Sequence, residues 1–373
     1  MSDGPTPEFP PPGATPPPEP SGTSYGAAGH PPPPAYAPPP PGGPPRTYGE
    51  MLGAAHKPGA IPLRPLTLGA IYDGAFRIIR FNPKATVGAA VLVTAIANLI
   101  PVLVTAAMTF ALSVPFEGVM TEDPETLDEI STADVAGLVA LVSSLFLGAV
   151  ATWFGMVFVT GMVAHVARAA AVGRRLSLGE AWRATRGKRW RLVGLNVVLS
   201  LGLLVGFTAY ALLWVVLVVA GTDPLLLLGF GLVSVPALLV ALFWFWIRVY
   251  YLPVPALMLE DVGVFGAIGR GYRLTSRQFW RTFGIALLTW LLTTIAGQVL
   301  STPVSLVGQL LALAVPEYGW LVLVLTNSLA YVLLYAFVAP FTSAVVALQY
   351  LDQRMRKEAH DVELMRDAGL MPR

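Results

Sequence analysis

Six long apolar runs dominate the chain. They cover residues 85–113, 136–167, 193–220, 225–252, 282–302 and 320–349. A helix needs about 20 apolar residues to cross the ~30 Å hydrocarbon core of a bilayer, and each run is long enough. Pro101, Pro236 and Pro340 fall inside or near the ends of runs, where neighbouring helices can satisfy the freed carbonyls. The pattern predicts an all-α fold, a bundle of six transmembrane helices.

The basic residues alternate with these runs. Six Lys and Arg residues precede the first run and eight separate the second from the third. Five lie from Arg248, near the end of the fourth run, to Arg281, just before the fifth, and five follow the sixth. The other three connections hold none, and the first of them is rich in acids such as Glu117 and Asp123. By the positive-inside rule, both termini should be cytoplasmic in a multi-pass protein of the bacterial plasma (inner) membrane.

Three of the basic segments share a pattern. Gly69, Gly74, Arg80 and Lys84 in the first segment have the same spacing as Gly266, Gly271, Arg277 and Arg281 in the third. The second segment is looser and begins with a capping box, Ser177-x-x-Glu180. Each segment predicts a short amphipathic helix that leads into a hairpin of two spans. Three such repeats suggest a pseudo-threefold bundle.

The first of these helices has an apolar stripe, with Asp73, Arg77 and Arg80 facing away from it. The stripe is predicted to contain Leu68, Ile71, Tyr72, Ala75, Phe76 and Ile79. Such a helix can lie at the membrane surface with its arginines near anionic headgroups, or pack as an elbow on the ends of its own spans, and both can hold. The candidate lipid-facing basic residues are Arg77, Arg80, Lys84, Arg186, Arg191, Arg277 and Arg281.

Composition separates a tail from the membrane domain. Charged residues make up only 12% of the chain, about half the share of a soluble domain, and 22 of the 34 prolines lie in residues 1–65. We therefore expect a disordered Pro/Gly-rich cytoplasmic tail at 1–60, a transmembrane domain at 61–352 and a cytoplasmic C-terminal tail at 353–373. The first tail is either a spacer or a docking segment for a protein partner through Tyr25, Tyr36 and Tyr48. It contains no stretch typical of a signal peptide.

The sequence contains little that points to catalysis. It has no cysteine, four scattered histidines, and no HExxH, GxSxG or phosphate-loop motif. We expect no enzyme activity, cofactor, metal or nucleic-acid partner. Because 20 of the 24 basic residues are arginine and Ala, Gly, Pro and Val are abundant, we expect an actinobacterial source.

Most polar residues inside the apolar runs carry no charge. No Asp or Glu lies at mid-span, which argues against a carboxylate proton relay. Four amides, Asn98, Asn196, Gln298 and Asn327, lie in four different spans. They either converge on a polar cavity or serve as separate interhelical hydrogen-bonding groups. Arg248 lies in the aromatic stretch Trp244–Tyr251, which is typical of an interfacial anchor with a snorkelling arginine.

Both ends of the membrane domain resemble a known group. The first part is Ile61–Gly74 with Asn82-Pro83-Lys84. The last part is Pro340-Phe341-Thr342, Tyr350-x-Asp352-x-Arg354-x-Arg356-x-Glu358 and Asp361-x-Glu363-Leu364. Over about residues 61–366 the chain resembles actinobacterial polytopic proteins named after the membrane domain of glycerophosphoryl diester phosphodiesterase. The resemblance implies the membrane module only, because no segment is left for the ~200-residue catalytic barrel.

Two functions are compatible with these features. The first is a non-enzymatic integral membrane protein that organises membrane lipids, anionic ones included, or partner proteins at the cytoplasmic face. The alternative is a transporter or lipid-handling channel with an amide-lined interior. A cavity that joins the four amides would favour the second.

Overall fold

The described residues, 59–111 and 132–367 of the computed structural model, form helices joined by short turns and contain no strand. The predicted all-α fold is confirmed. The Pro-rich tail to residue 58, its three tyrosines and most of the acidic first connection lie outside the described residues.

The helices follow one another in the predicted repeating order, in which a short helix precedes each hairpin. They are α1 (Leu68–Phe81), α2 (Pro83–Ala111), α3 (Thr132–Ala171), α4 (Leu178–Ala184), α5 (Arg189–Val219), α6 (Pro224–Phe245), α7 (Pro253–Leu259), α8 (Val264–Thr275), α9 (Phe279–Ala314), α10 (Gly319–Glu358) and α11 (His360–Asp367). A π-helical turn, Trp246–Tyr250, follows α6, and a 3₁₀ turn, Pro316–Tyr318, precedes α10. The hairpins are α2–α3, α5–α6 and α9–α10.

Six helical segments are long and apolar enough to cross a membrane, so the chain is a multi-pass membrane protein. Several spans differ from their predicted bounds, and the sixth, predicted to end at residue 349, continues in α10 to Glu358. The fifth run was predicted to end at residue 302, but α9 continues through Pro303 to Ala314. The fourth run is one apolar stretch in sequence, but regular helix ends at Phe245 and gives way to the π turn.

Local capping explains where the short helices begin. The Thr67 side chain accepts a hydrogen bond from the Ala70 N–H at the start of α1. Ser177 and Glu180 form the predicted capping box at the start of α4. Each cap satisfies N–H groups that have no partner within the helix, so each short helix starts at a defined residue.

The buried stripe of α1 is rotated from the predicted one. Leu68 and Phe76 are exposed, whereas Ile78, which the prediction left out, is fully buried beside Ile71 and Ala75. The reason is that α1 packs on α10, close enough for a Cβ added at Gly74 to lie 3.0 Å from the side chain of Leu348. In this structure α1 is therefore a packed elbow.

The three repeats are not equivalent in their packing. Helix α10 contacts α1, α2, α3 and α9 and forms the centre of the core. In the second hairpin, α5 is buried only near its start, at Leu192, Leu195, Asn196 and Leu199, and α6 buries no residue. The first and third hairpins thus make the core, and the second stands beside them rather than completing a threefold bundle.

Candidate functional site

The short helices meet at one end of the bundle, which we call the basic end. A fully buried carboxylate lies there. Asp352 on α10 accepts hydrogen bonds from the Leu66 N–H at 2.7 Å and from Arg356 Nε at 2.9 Å, and it pairs with Arg281. Both arginines also donate to the Leu66 carbonyl, at 2.7 and 2.8 Å. Asp352 therefore joins the segment before α1 to the start of α9 and the end of α10.

A second ionic cluster lies nearby. Arg270 on α8 contacts Glu260 at 2.8 Å and Glu358 at 2.5 Å, while Arg354 contacts Glu358 at 3.0 Å. Burial alone would lower the pKa of Arg270, but its hydrogen bonds to Glu358 and Glu260 raise it, so the guanidinium stays charged. The Tyr350 hydroxyl donates to Glu260. This cluster fixes α8 against the end of α10.

The predicted lipid-facing residues lie in three kinds of surroundings. Arg281 belongs to the Asp352 cluster. Arg77 and Arg191 are exposed and pair with Asp73 at 3.0 Å and Asp261 at 3.7 Å. The remaining four are exposed and have no carboxylate partner among the described residues; they are Arg80, Lys84, Arg186 and Arg277.

A groove of about 490 Å³ lies within the spanning part of the bundle. Helices α3, α9 and α10 form three of its walls, and the π turn after α6 forms the fourth. Its rim includes Trp290, Thr294 and Gln298 of α9, which are exposed at mid-span. The groove therefore opens sideways, toward the region that lipid occupies.

The groove is apolar and aromatic, with hydroxyl groups as its main polar feature. None of its lining residues is charged, and six are Trp or Tyr, namely Trp153, Trp246, Tyr250, Tyr251, Trp290 and Tyr335. The threonine hydroxyls mostly donate to carbonyls of their own helix, as Thr293 does to Thr289 and Thr342 to Val338, each at 2.8 Å. Such a lining suits a hydrocarbon chain and has no ring of charge that could select ions.

The four predicted amides do not come together. Gln298 lines the groove, whereas Asn98, Asn196 and Asn327 do not. Asn98 donates to the Thr94 carbonyl of its own helix at 2.8 Å, and Asn327 lies 3.4 Å from Ser305. Asn196 is buried, and its amide nitrogen has no partner among the described residues.

Sequence reasoning missed two features of this region. The buried Asp352 and the half-buried Glu260 were not singled out as ion-pair centres, although Asp352 lies in the C-terminal motif. The signal was there in the i,i+4 spacing of Asp352 and Arg356 on one helix face. The aromatic lining of the groove left no such signal, because α3, α9 and α10 are apolar on all sides over most of their length.

The described residues bring no three His, Asp or Glu side chains together as metal ligands. No curated protein and no solved structure matches the chain. One family model, described as a family of unknown function (DUF7544), matches residues 113–352, which is well over half of the chain. The match covers five of the six spans, the groove and Asp352. The chain therefore belongs to this family of unknown function (DUF7544).

Proposed function

We propose that this protein is a non-enzymatic, multi-pass protein of the bacterial plasma membrane that binds membrane lipid. A lipid acyl chain would occupy the groove between α3, α9 and α10. The observation that carries the proposal is the uncharged, aromatic lining of that groove and its exposed rim on α9. An open apolar groove at mid-span is in contact with lipid chains, and its Trp and Tyr rings offer broad flat surfaces to them.

The orientation of the protein follows from charge. All described Lys and Arg residues lie at the basic end, and the connections at the opposite end contain none. By the positive-inside rule, the basic end and both termini would lie in the cytoplasm. The basic residues without carboxylate partners, such as Arg80 and Lys84, would face the anionic headgroups of the inner leaflet.

The proposal of a non-enzymatic role rests on the sequence. The resemblance to the membrane domain named after glycerophosphoryl diester phosphodiesterase concerns the membrane module, and the sequence contains no HExxH, GxSxG or phosphate-loop motif. Organisation of partner proteins through the Pro-rich tail remains a second part of the proposal. The transporter alternative is supported by Gln298 only, because the other three amides lie away from the groove.

The proposal is tested by blocking the groove. Thr294→Phe places a ring in the rim, and Val299→Phe is the matched control, because Val299 is exposed on the same helix and does not line the groove. The full-length variants are purified in mild detergent, and the phospholipid that each retains is counted by native mass spectrometry. We expect Thr294→Phe to lose most of the retained lipid and Val299→Phe to keep it.

Equal lipid retention by both variants would contradict the groove as the binding site. Both substitutions lie at exposed positions of α9, so we expect both variants to fold. Near-equal melting temperatures of the two variants would show that a difference in retained lipid reflects binding and not folding.

A further inference from the structure

Four arginines converge on one pocket at the basic end. The pocket has a volume of about 470 Å³, and its lining includes Arg248, Arg277, Arg281 and Arg356 together with Gln278 and Trp280. The lining contains no acidic residue. Asp352, behind the pocket, pairs with Arg281 and Arg356 and balances one of the four charges. The pocket therefore carries about three uncompensated positive charges.

Two of the four arginines, Arg248 and Arg277, are available to bind an anion. Neither Arg248 nor Arg277 has a carboxylate partner among the described residues. The Arg248 guanidinium lies 5.0 Å from the ring centre of Tyr272 and 5.7 Å from that of Phe279, and these rings hold its plane in position. Its Nε is buried and has no acceptor within the described chain. A buried donor without an acceptor is costly, and an anion in the pocket would remove that cost.

The backbone at Arg277 adds a second observation. Its φ is +63°, a left-handed conformation that is unfavourable for a residue with a Cβ. Glycine would fit this turn between α8 and α9 without strain, but the residue is an arginine. Strained residues persist where the surroundings hold them, and they cluster at ligand sites.

The position of the pocket indicates the kind of anion. Helix α9 begins at Phe279 with no side-chain cap, so its positive end and free N–H groups lie at the pocket. Trp280 at the rim is 79% exposed at the end of a spanning helix, and exposed tryptophans in such positions lie at the depth of lipid headgroups. At that depth the abundant anion is a phosphate ester, whose oxygens suit the paired N–H groups of arginine.

We propose that the pocket lined by Arg248, Arg277, Arg281 and Arg356 binds the phosphate group of an anionic phospholipid. This inference rests on the proposed lipid-binding function and adds a headgroup site that is separate from the groove. Arg281 and Arg356 would supply a fixed positive wall, and Arg248 and Arg277 would supply the donors that close on the phosphate.

The test measures three ligands on the full-length protein by native mass spectrometry. They are dioctanoyl phosphatidic acid, dioctanoylglycerol, which has the same chains and no phosphate, and inorganic phosphate. The variant is Arg248→Gln with Arg277→Gln, which leaves the Asp352 pairs intact. The control is Arg183→Gln with Arg366→Gln, two exposed arginines outside the pocket.

We expect the pocket variant to bind phosphatidic acid about 25-fold more weakly, at about fivefold for each arginine near the membrane surface, and to bind dioctanoylglycerol unchanged. The control variant should bind both as the native protein does. The Lys versions of the two pocket substitutions keep the charge but lose the paired N–H groups, and they should restore only part of the affinity.

Three results would overturn parts of this account, and they are distinguishable. Unchanged phosphatidic acid binding by the pocket variant would refute the headgroup site. Failure of the native protein to bind dioctanoylglycerol would count against the groove, whatever the arginines do. Inorganic phosphate that binds as tightly as phosphatidic acid would refute a lipid as the source of the phosphate. Arg277→Gly serves if the double variant does not fold, because it removes the charge and also relieves the backbone.

Discussion

Removal of the Asp352 carboxylate should weaken the whole basic end. In Asp352→Ala the guanidinium groups of Arg281 and Arg356 face each other without a counterion, and the Leu66 N–H loses its acceptor. Asp352 is fully buried, so water cannot replace it while the structure stays closed.

The expected loss can be estimated from the contacts. Breaking a buried ion pair by removing one partner costs about 3–5 kcal/mol. Each arginine is 29% exposed and can turn partly toward water, which places the estimate at the lower end, about 3 kcal/mol. Asp352→Asn keeps an acceptor for the Leu66 N–H and should cost less, about 1–2 kcal/mol.

Asp73→Ala is the matched control, because it removes a carboxylate from an exposed pair with Arg77 on α1. Such a pair contributes about 0.5 kcal/mol or less. Unfolding in detergent followed by tryptophan fluorescence gives the free energies, and hydrogen exchange reports on the Leu66 N–H. We expect faster exchange at Leu66 in Asp352→Ala alone. Equal losses of stability in the two alanine variants would refute the argument that burial makes the Asp352 pairs strong.

Three other predictions concern separate parts of the molecule. Gly308→Ala should destabilise the α9–α10 pair by about 1–3 kcal/mol, because the new Cβ would clash with the side chain of Thr326. Gly284→Ala on the same helix is the control, because its Cβ would meet open space and should not destabilise the protein. Thermal unfolding of the two variants tests this difference. Arg277→Gly should raise the free energy of unfolding by about 0.5–1 kcal/mol, because glycine accepts a φ of +63°, and a lower value would show that the arginine side chain stabilises the fold. Burial and the charge of Arg354 lower the pKa of His360 below its usual 6.5, Glu363 opposes this lowering, and Arg168 adds a smaller lowering. The unfolded state therefore binds more protons than the folded state, and the free energy of unfolding falls as the pH drops below 6.5. His360→Gln should flatten this part of the pH–stability curve between about pH 7 and 5, and an unchanged slope would contradict the assignment.

The spans could be predicted because the bilayer sets a minimum length for each apolar run. The length of an apolar run does not predict a helix that continues past an interruption because neighbouring helices support it, as α9 does at Pro303. Run length also does not predict the π turn at Trp246–Tyr250, because its residues apart from Arg248 are as apolar and aromatic as those of a regular helix. The short helices were predictable from caps and spacing, but the face that α1 buries is decided by its contact with α10.

The candidate sites depend on contacts between distant parts of the chain. The amides were predicted from their polarity, but polarity does not tell which way a residue on a uniformly apolar helix points, and only Gln298 faces the groove. Arg277 and Arg281 were both among the basic residues predicted to face lipid. The structure separates them, since Arg281 is committed to Asp352 and Arg277 is free of carboxylates in the described chain. Arg248 and Arg356 join them only through the fold, from positions 29 residues before and 79 residues after Arg277.

The most direct test of lipid binding in the groove is to locate a bound lipid. The full-length protein is placed in membranes that contain a phospholipid with a photoactivatable diazirine at the end of one acyl chain, and the labelled residues are mapped by mass spectrometry after irradiation. We expect labelling concentrated on the groove segments of α9 and α10, around Trp290–Gln298 and Leu334–Thr342, and its loss in Thr294→Phe. Labelling spread evenly over all exposed spans, including α6, and unchanged by Thr294→Phe would contradict lipid binding in the groove.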